Sequence, residues 1–226
     1  MFPTMNIKEY IQRLLLSHGF VLTMTLRYMK RKREIELSKY AGDYIRNSSL
    51  ELVAHEILEN NVQGSVAELG VYRGDFARVI NEAFPDRKLY LFDTFEGFDK
   101  QDVLVDRKQD YSAGSQDFSE TSIDIVLSKM KTPGNCIIKP GYFPESAAGV
   151  ADMFAFVSID ADLYKPVYDG LSFFYRKLSK GGYIFVHDYN NDEYKGANAA
   201  VREYCREMNI AYFPLSDACG SAIICK

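Results

Sequence analysis

A mostly parallel, seven-stranded α/β sheet with helices on both faces and a helical N-terminal extension is predicted by three observations. From about residue 48 onwards, short apolar runs alternate with segments of helical periodicity, the pattern of parallel strands joined by crossover helices. Several runs lack polar alternation, as expected for strands buried on both faces. The last two runs are joined by Pro214–Gly220, a link too short to hold a crossover helix, so the terminal pair is antiparallel. Residues 1–47 lack strand patterns and are read as a helical extension, a lid or an interface, preceding a sheet domain over residues 48–226.

The elements follow in order. Leu50, Val53, Ile57 and Leu58 make a first helical stripe, then comes a strand at Val66–Leu69. Phe76, Val79, Ile80 and Ala83 form a second stripe before a strand at Leu89–Phe92. Ile123, Val126, Leu127 and Met130 form a third, followed by strands at Cys136–Lys139 and Phe154–Ile159. Val167, Leu171, Phe174, Tyr175 and Leu178 lead to a strand at Tyr183–Val186. Ala197, Ala200, Val201 and Tyr204 mark the last long helix, and strands around Ile210–Phe213 and Ala222–Cys225 close the chain.

Composition excludes some functions. A net charge of −4 over 226 residues gives no global basic field to hold phosphates, so nucleic acid is not the expected partner. A small or glycosylated acceptor fits better. Cys136, Cys205, Cys219 and Cys225 form no C-x-x-C pair and read as reduced thiols rather than a zinc site, with a Cys219–Cys225 bridge as the alternative. The apolar-leaning stretch Ile11–Leu26 is broken by Gln12, Arg13, Ser17, His18, Gly19, Thr23 and Thr25, too polar and too short to span a bilayer. With the basic residues Arg27 and Lys30 to Arg33 behind it, it reads as an amphipathic helix packed on the domain or on a second copy in a homodimer. Peripheral membrane contact is the alternative. No secretory signal is evident, and the expected compartment is cytoplasmic.

The loop after the first strand is the most informative segment. A dinucleotide fingerprint aligned on Gly70 would put its other glycines on Glu68 and Arg73, and fails. An acidic residue followed by G-x-x-x-G, the template for S-adenosylmethionine, is met by Glu68, Gly70 and Gly74, with Tyr72 between the glycines. Glycines let the backbone approach a ligand, and an acidic residue favours the ammonium of S-adenosylmethionine. The second strand ends at Asp93, followed by Thr94, the expected distance past the glycine loop for a carboxylate that accepts both ribose hydroxyls.

Three stretches, "AELGVYRGDFARVI", "LFDTFEGF" and "VSIDADLYKPVYDGLSFFYRKLSKGGYIFVHDY", together with "DFSETS" and "KPGYFPES", resemble the macrocin O-methyltransferase family, which methylates sugars in macrolide and aminocoumarin biosynthesis. The likeness runs from about Leu50 to about Tyr204. It implies a Rossmann-like class I methyltransferase fold, S-adenosylmethionine as cofactor, and Mg²⁺ at the acceptor hydroxyl. By this resemblance Phe118 and Ser119 lie near the adenine, and Asp160 and Asp188 match metal-site aspartates. His187 replaces the first aspartate of the family's "DDY". The family's proposed catalytic histidine has no counterpart among His18, His55 and His187.

The residues make a parallel case for a metal. Asp160 and Asp162 end the fourth strand, and His187, Asp188, Asn190, Asn191 and Asp192 follow the fifth. Neighbouring strand ends bring these groups together, and hard oxygen ligands suit Mg²⁺. Asp160, His187 and Asp188 are the candidate catalytic residues, with Asp160 also facing the cofactor and with Asp160 and Asp188 as metal ligands. Asp162 reads more simply as a helix-start residue, and Asn190 and Asn191 as turn formers. Tyr72, Tyr142, Tyr164 and Tyr189 fall at strand ends or loops and are candidates to line a sugar pocket. Competing functions are a catechol-like acceptor for the same chemistry, a nicotinamide-dependent oxidoreductase, and a non-catalytic binding module on the same fold.

Overall fold

The computed structural model describes residues 43–226 together with Ile11, Leu14 and Leu15. The chain divides into two units, residues 1–34 and 35–226. In the first, Ile11, Leu14 and Leu15 are helical. The rest of the amphipathic stretch, the basic cluster, and the lid or interface expected there lie outside the described residues.

The second unit begins with α1 (Tyr44–Glu59). Asp43 caps it, accepting hydrogen bonds from the Ile45 and Arg46 backbone N–H groups at 2.9 and 3.1 Å. The sequence-drawn boundary at residue 47 falls inside this helix. Its buried stripe is Arg46, Leu50, Ala54 and Ile57, while Leu58, expected in the core, is 49% exposed. Leu58 follows Ile57 by about 100° of helical rotation, which carries it off the buried face.

Strands β1 (Ser65–Leu69), β2 (Leu89–Asp93), β3 (Cys136–Pro140), β4 (Phe154–Ile159) and β5 (Leu178–Val186) are parallel; β6 (Phe213–Leu215) and β7 (Ser221–Cys225) are antiparallel to each other, and β7 to β5. The order is β3-β2-β1-β4-β5-β7-β6. The final pair begins later than expected. The Ile210 N–H donates to the Cys205 carbonyl at 2.8 Å and closes the preceding helix, so β6 starts only at Phe213. Pro214 is tolerated there because β6 is an edge strand.

Helices α2 (Asp75–Ala83), α3 (Lys100–Lys108), α4 (Ile123–Ser128), α5 (Tyr164–Lys177) and α6 (Lys195–Glu207) cover the sheet. One core packs Leu50, Ala54 and Ile57 of α1 and Val79, Ile80 and Ala83 of α2 against Val66, Leu91, Phe156 and Phe185. The other packs Val167, Leu171 and Phe174 of α5 and Ala197, Ala200, Val201 and Tyr204 of α6 against Phe92, Val157 and Ile184. The sheet therefore has a buried core on each face, which is why its central strands read as unbroken apolar runs. The α3 helix had no expected stripe: its buried positions are Asp102 and Asp106. Among the described residues no helix is long and apolar enough to cross a membrane.

Candidate active site

The strand order reverses between β1 and β4, and a cavity of about 450 Å³ opens at the carboxyl ends of the strands there. Backbone bonds extend each parallel ladder by one residue. Gly70 N–H donates to the Phe92 carbonyl at 2.9 Å, Asp160 N–H to Leu69 at 2.8 Å, and His187 N–H to Ile159 at 2.9 Å. Gly70, Asp160 and His187 are thus held side by side along one sheet edge.

Gly70 has φ +83°, and a Cβ on it would stand 2.0 Å from the Asp160 carbonyl oxygen. Glycine is required because the β1 and β4 ends meet backbone to backbone. Glu68, one step earlier, is 1% exposed, and its Oε2 has no hydrogen-bond partner. Burial, and then the charge of Asp160, push its carboxyl well above the usual carboxylate range. A buried, orphaned carboxyl on a cavity wall fits a cationic ligand group such as the ammonium of S-adenosylmethionine.

Asp93 organises the loop as well as lining the cavity. Its Oδ2 accepts from the Val71 and Tyr72 N–H groups at 2.7 and 2.8 Å, and its Oδ1 from Phe95 N–H at 2.7 Å. A carboxylate has about four acceptor sites, so capacity for ribose hydroxyls remains. Tyr72, Phe118, Phe98 and Tyr194 form a chain of edge-to-face rings with centroids 5.1, 5.0 and 6.0 Å apart, a continuous aromatic wall. Thr94 also lines the cavity. Gly74 and Ser119 do not. Gly74, at φ +76°, caps α2, and a Cβ there would meet Val126 and Met130; the Ser119 N–H turns back to Asp117 at 2.8 Å. Of the four tyrosines proposed for the pocket, Tyr72 and Tyr142 line it; Tyr164 and Tyr189 pair instead with Glu203 and Tyr212.

Beside Gly70, at the tips of β4 and β5, Asp160, His187 and Asp188 converge. Nδ1 of His187 lies 3.0 Å from Asp160 Oδ1 and 2.8 Å from Asp188 Oδ2. Arg46 Nη1 holds Asp160 Oδ2 at 2.9 Å, and Asn191 Nδ2 donates to Asp188 Oδ1 at 2.7 Å. Burial would raise the Asp160 carboxyl, but Arg46 and His187 outweigh it and hold it well below the usual range. Burial would lower His187, but Asp160 beside it pushes the imidazole up to about 10. Asp162, at φ +58°, lines the cavity too; burial and the charges of Asp188 and Asp160 push its carboxyl well above the usual range. One donor atom from each of Asp160, His187 and Asp188 lies within 4.8 Å of the others, a set able to hold a cation.

Arg46 is the main residue that sequence reading missed. It is buried, donates through Nη2 to Ser158 Oγ at 3.1 Å, and stacks 3.7 Å above the Phe76 ring. Its position four residues before Leu50, on the apolar face of α1, was the available signal. Asn191, read more simply as a turn former, holds the Asp188 carboxylate.

Sheet order, glycine loop and strand-end carboxylates together define a class I methyltransferase. The macrocin-O-methyltransferase family model matches residues 41–221, and the chain belongs to that family, whose members are S-adenosylmethionine-dependent O-methyltransferases. It is 26% identical over 191 residues, 79% of this chain and 71% of the relative, to the 8-demethyl-8-(2,3-dimethoxy-alpha-L-rhamnosyl)-tetracenomycin-C 4'-O-methyltransferase of Streptomyces olivaceus. It is 26% identical over 184 residues, 74% of this chain and 67% of the relative, to the demethyldecarbamoylnovobiocin O-methyltransferase of Streptomyces niveus. The fold is that of the O-methyltransferase NovP, with TM-score 0.69 and 22% identity over 81% of this chain and 80% of that one. It is also that of the calicheamicin methyltransferase CalS11, with TM-score 0.64 and 19% identity over 99% and 94%.

Proposed function

We propose that the chain methylates a hydroxyl of a sugar, in a glycoside, a polysaccharide precursor or a natural product, with help from a divalent cation. One observation carries the reading: the converging Asp160, His187 and Asp188 line the same cavity as Glu68, Gly70 and Asp93 of the expected cofactor site. The Streptomyces olivaceus relative carries a rhamnosyl group in its name, and this supports a sugar acceptor. Glu68 offers its carboxyl to the ammonium, Asp93 to the ribose hydroxyls, and Phe118 and Tyr72 their rings to the adenine. S-adenosylmethionine, when bound, would supply a sulfonium methyl group for in-line displacement by the acceptor oxygen, with S-adenosylhomocysteine as the leaving group. A divalent cation, Mg²⁺ on the oxygen donors alone, would favour the deprotonated acceptor hydroxyl. Asp160 and Asp188 would hold it, and Tyr142, Tyr194 and Gln116 are placed along the wall where an acceptor would lie. All four cysteines are free thiols, in keeping with a reducing, cytoplasmic setting. A homodimer through the N-terminal segment belongs to the same reading.

The test is transfer of labelled methyl from S-adenosylmethionine to a panel of glycosides and catechols, with and without chelator. Methylated glycoside formed only with divalent cation is the expected result. Catechol products alone would replace the sugar reading, and full turnover in excess chelator would remove the cation.

A further inference from the structure

The carboxylate site of the preceding reading contains a third donor of a different chemical kind. We propose that His187 Nδ1 is itself a metal ligand, so that the site selects a divalent transition cation, of the Mn²⁺, Fe²⁺ or Co²⁺ class, over Mg²⁺. The inference rests on Asp160 and Asp188 forming a cation site, and it adds the identity of the cation.

The geometry turns one oxygen of each carboxylate toward His187. Arg46 takes Asp160 Oδ2 and Asn191 takes Asp188 Oδ1. The remaining oxygens, Asp160 Oδ1 and Asp188 Oδ2, face Nδ1 at 3.0 and 2.8 Å. These are hydrogen-bond distances: without a cation the Nδ1–H lies between the two oxygens, and a cation would take that proton's place among three donors that all lie within 4.8 Å of one another. The outer donors fix the inner ones, the usual role of partners behind metal ligands.

Sequence explains why neighbours in the chain converge here. Successive side chains at a strand end point to opposite faces. Asp188 has φ +57°, and this left-handed turn brings its carboxylate back to His187. The His187 N–H bond to the Ile159 carbonyl keeps the imidazole at the β5 tip. Imidazole nitrogen suits borderline transition cations, while Mg²⁺ takes oxygen and keeps several waters.

The test uses the full chain, stripped with chelator and titrated by calorimetry with MnCl₂, CoCl₂ and MgCl₂. Pulsed electron paramagnetic resonance is then recorded on the Mn²⁺-bound protein. Mn²⁺ should bind at least about tenfold more tightly than Mg²⁺, and the Mn²⁺ signal should carry hyperfine coupling to a directly bound nitrogen. His187→Asp restores an all-oxygen set. In that variant the nitrogen coupling should vanish and the Mn²⁺ to Mg²⁺ affinity ratio should fall about tenfold or more. The wild-type spectrum needs no variant to fold. Mn²⁺ bound without nitrogen coupling, or an unchanged ratio in His187→Asp, would overturn the ligand role while leaving the carboxylate site standing. Failure of every cation to bind would overturn this inference and the cation in the proposed function together, but not methyl transfer itself.

Discussion

Glu68 shows how one side chain can trade stability for binding. It is buried, lacks a partner for Oε2, and its pKa is raised well above the usual range, so holding it ionised at neutral pH opposes folding. Glu68→Gln should therefore raise the thermal midpoint of the ligand-free protein and weaken S-adenosylhomocysteine binding about tenfold, read by melting and by calorimetry. An unchanged affinity would remove Glu68 from the cofactor site. Gly70 sits at the opposite extreme, where space decides. Gly70→Ala places a methyl 2.0 Å from the Asp160 carbonyl oxygen, a backbone atom that cannot step aside. Denaturant unfolding should register a loss of about 3 kcal/mol or more, and the displaced Asp160 should cost activity in whatever folded protein remains. Glu68, Gly70 and Asp93, picked out at strand ends in the sequence, all line the cavity, because the carboxyl ends of parallel strands open onto it. Gly74 and Ser119, expected from the same pattern, stand off the cavity wall, at a helix cap and in a loop turn, positions that pattern alone does not separate from the wall.

At the scale of elements, what sequence reveals depends on which side chains an element buries. Helices α2, α5 and α6 bury apolar stripes and were readable by periodicity. Helix α3 buries Asp102 and Asp106 and was invisible to it. Asp106 is 0% exposed, accepts from Tyr164 N–H at 3.0 Å, and is pushed up to about 6, first by burial. The folded state thus holds this proton more tightly than the unfolded chain does. Its contribution favours folding below about pH 4 and is lost as pH rises to about 6. Asp106→Asn should remove that slope and, at pH 7.5, gain on the order of 1–2 kcal/mol, measured by urea unfolding of both proteins at several pH values. An identical slope in the variant would mean Asp106 ionises freely. Helix α1 carries the larger omission. Arg46 lies in a segment taken as accessory, yet it ties Asp160 and Ser158 to the helix start. Truncation before Asp43 should leave a folded, cofactor-binding chain. Truncation through Asn47 should cost at least about 2 kcal/mol more, because Asp160 keeps a buried charge without its guanidinium. Equal stabilities of the two truncations would contradict that role.

Across the whole molecule, the fold follows from strand order. Parallel strands β1 to β5 reverse direction of addition between β1 and β4, and the reversal opens the cavity where their carboxyl ends diverge. The apolar runs and the short terminal link made the mostly parallel sheet and its antiparallel final pair legible in the sequence, but not the strand order. The second layer of the site was not legible, because Arg46 and Asn191 reach Asp160 and Asp188 from distant or turn positions that no local pattern marks. Both halves of the account meet at Asp93, which holds the glycine loop through three backbone N–H groups and faces the cavity. The most direct test is calorimetric titration of the full chain and of Asp93→Ala with S-adenosylhomocysteine and with NAD. The account predicts wild-type affinity on the order of micromolar for S-adenosylhomocysteine, a loss of roughly 1.5–3 kcal/mol in Asp93→Ala, and no binding of NAD. Binding of NAD by the wild type, or equal S-adenosylhomocysteine affinity in both proteins, would contradict it.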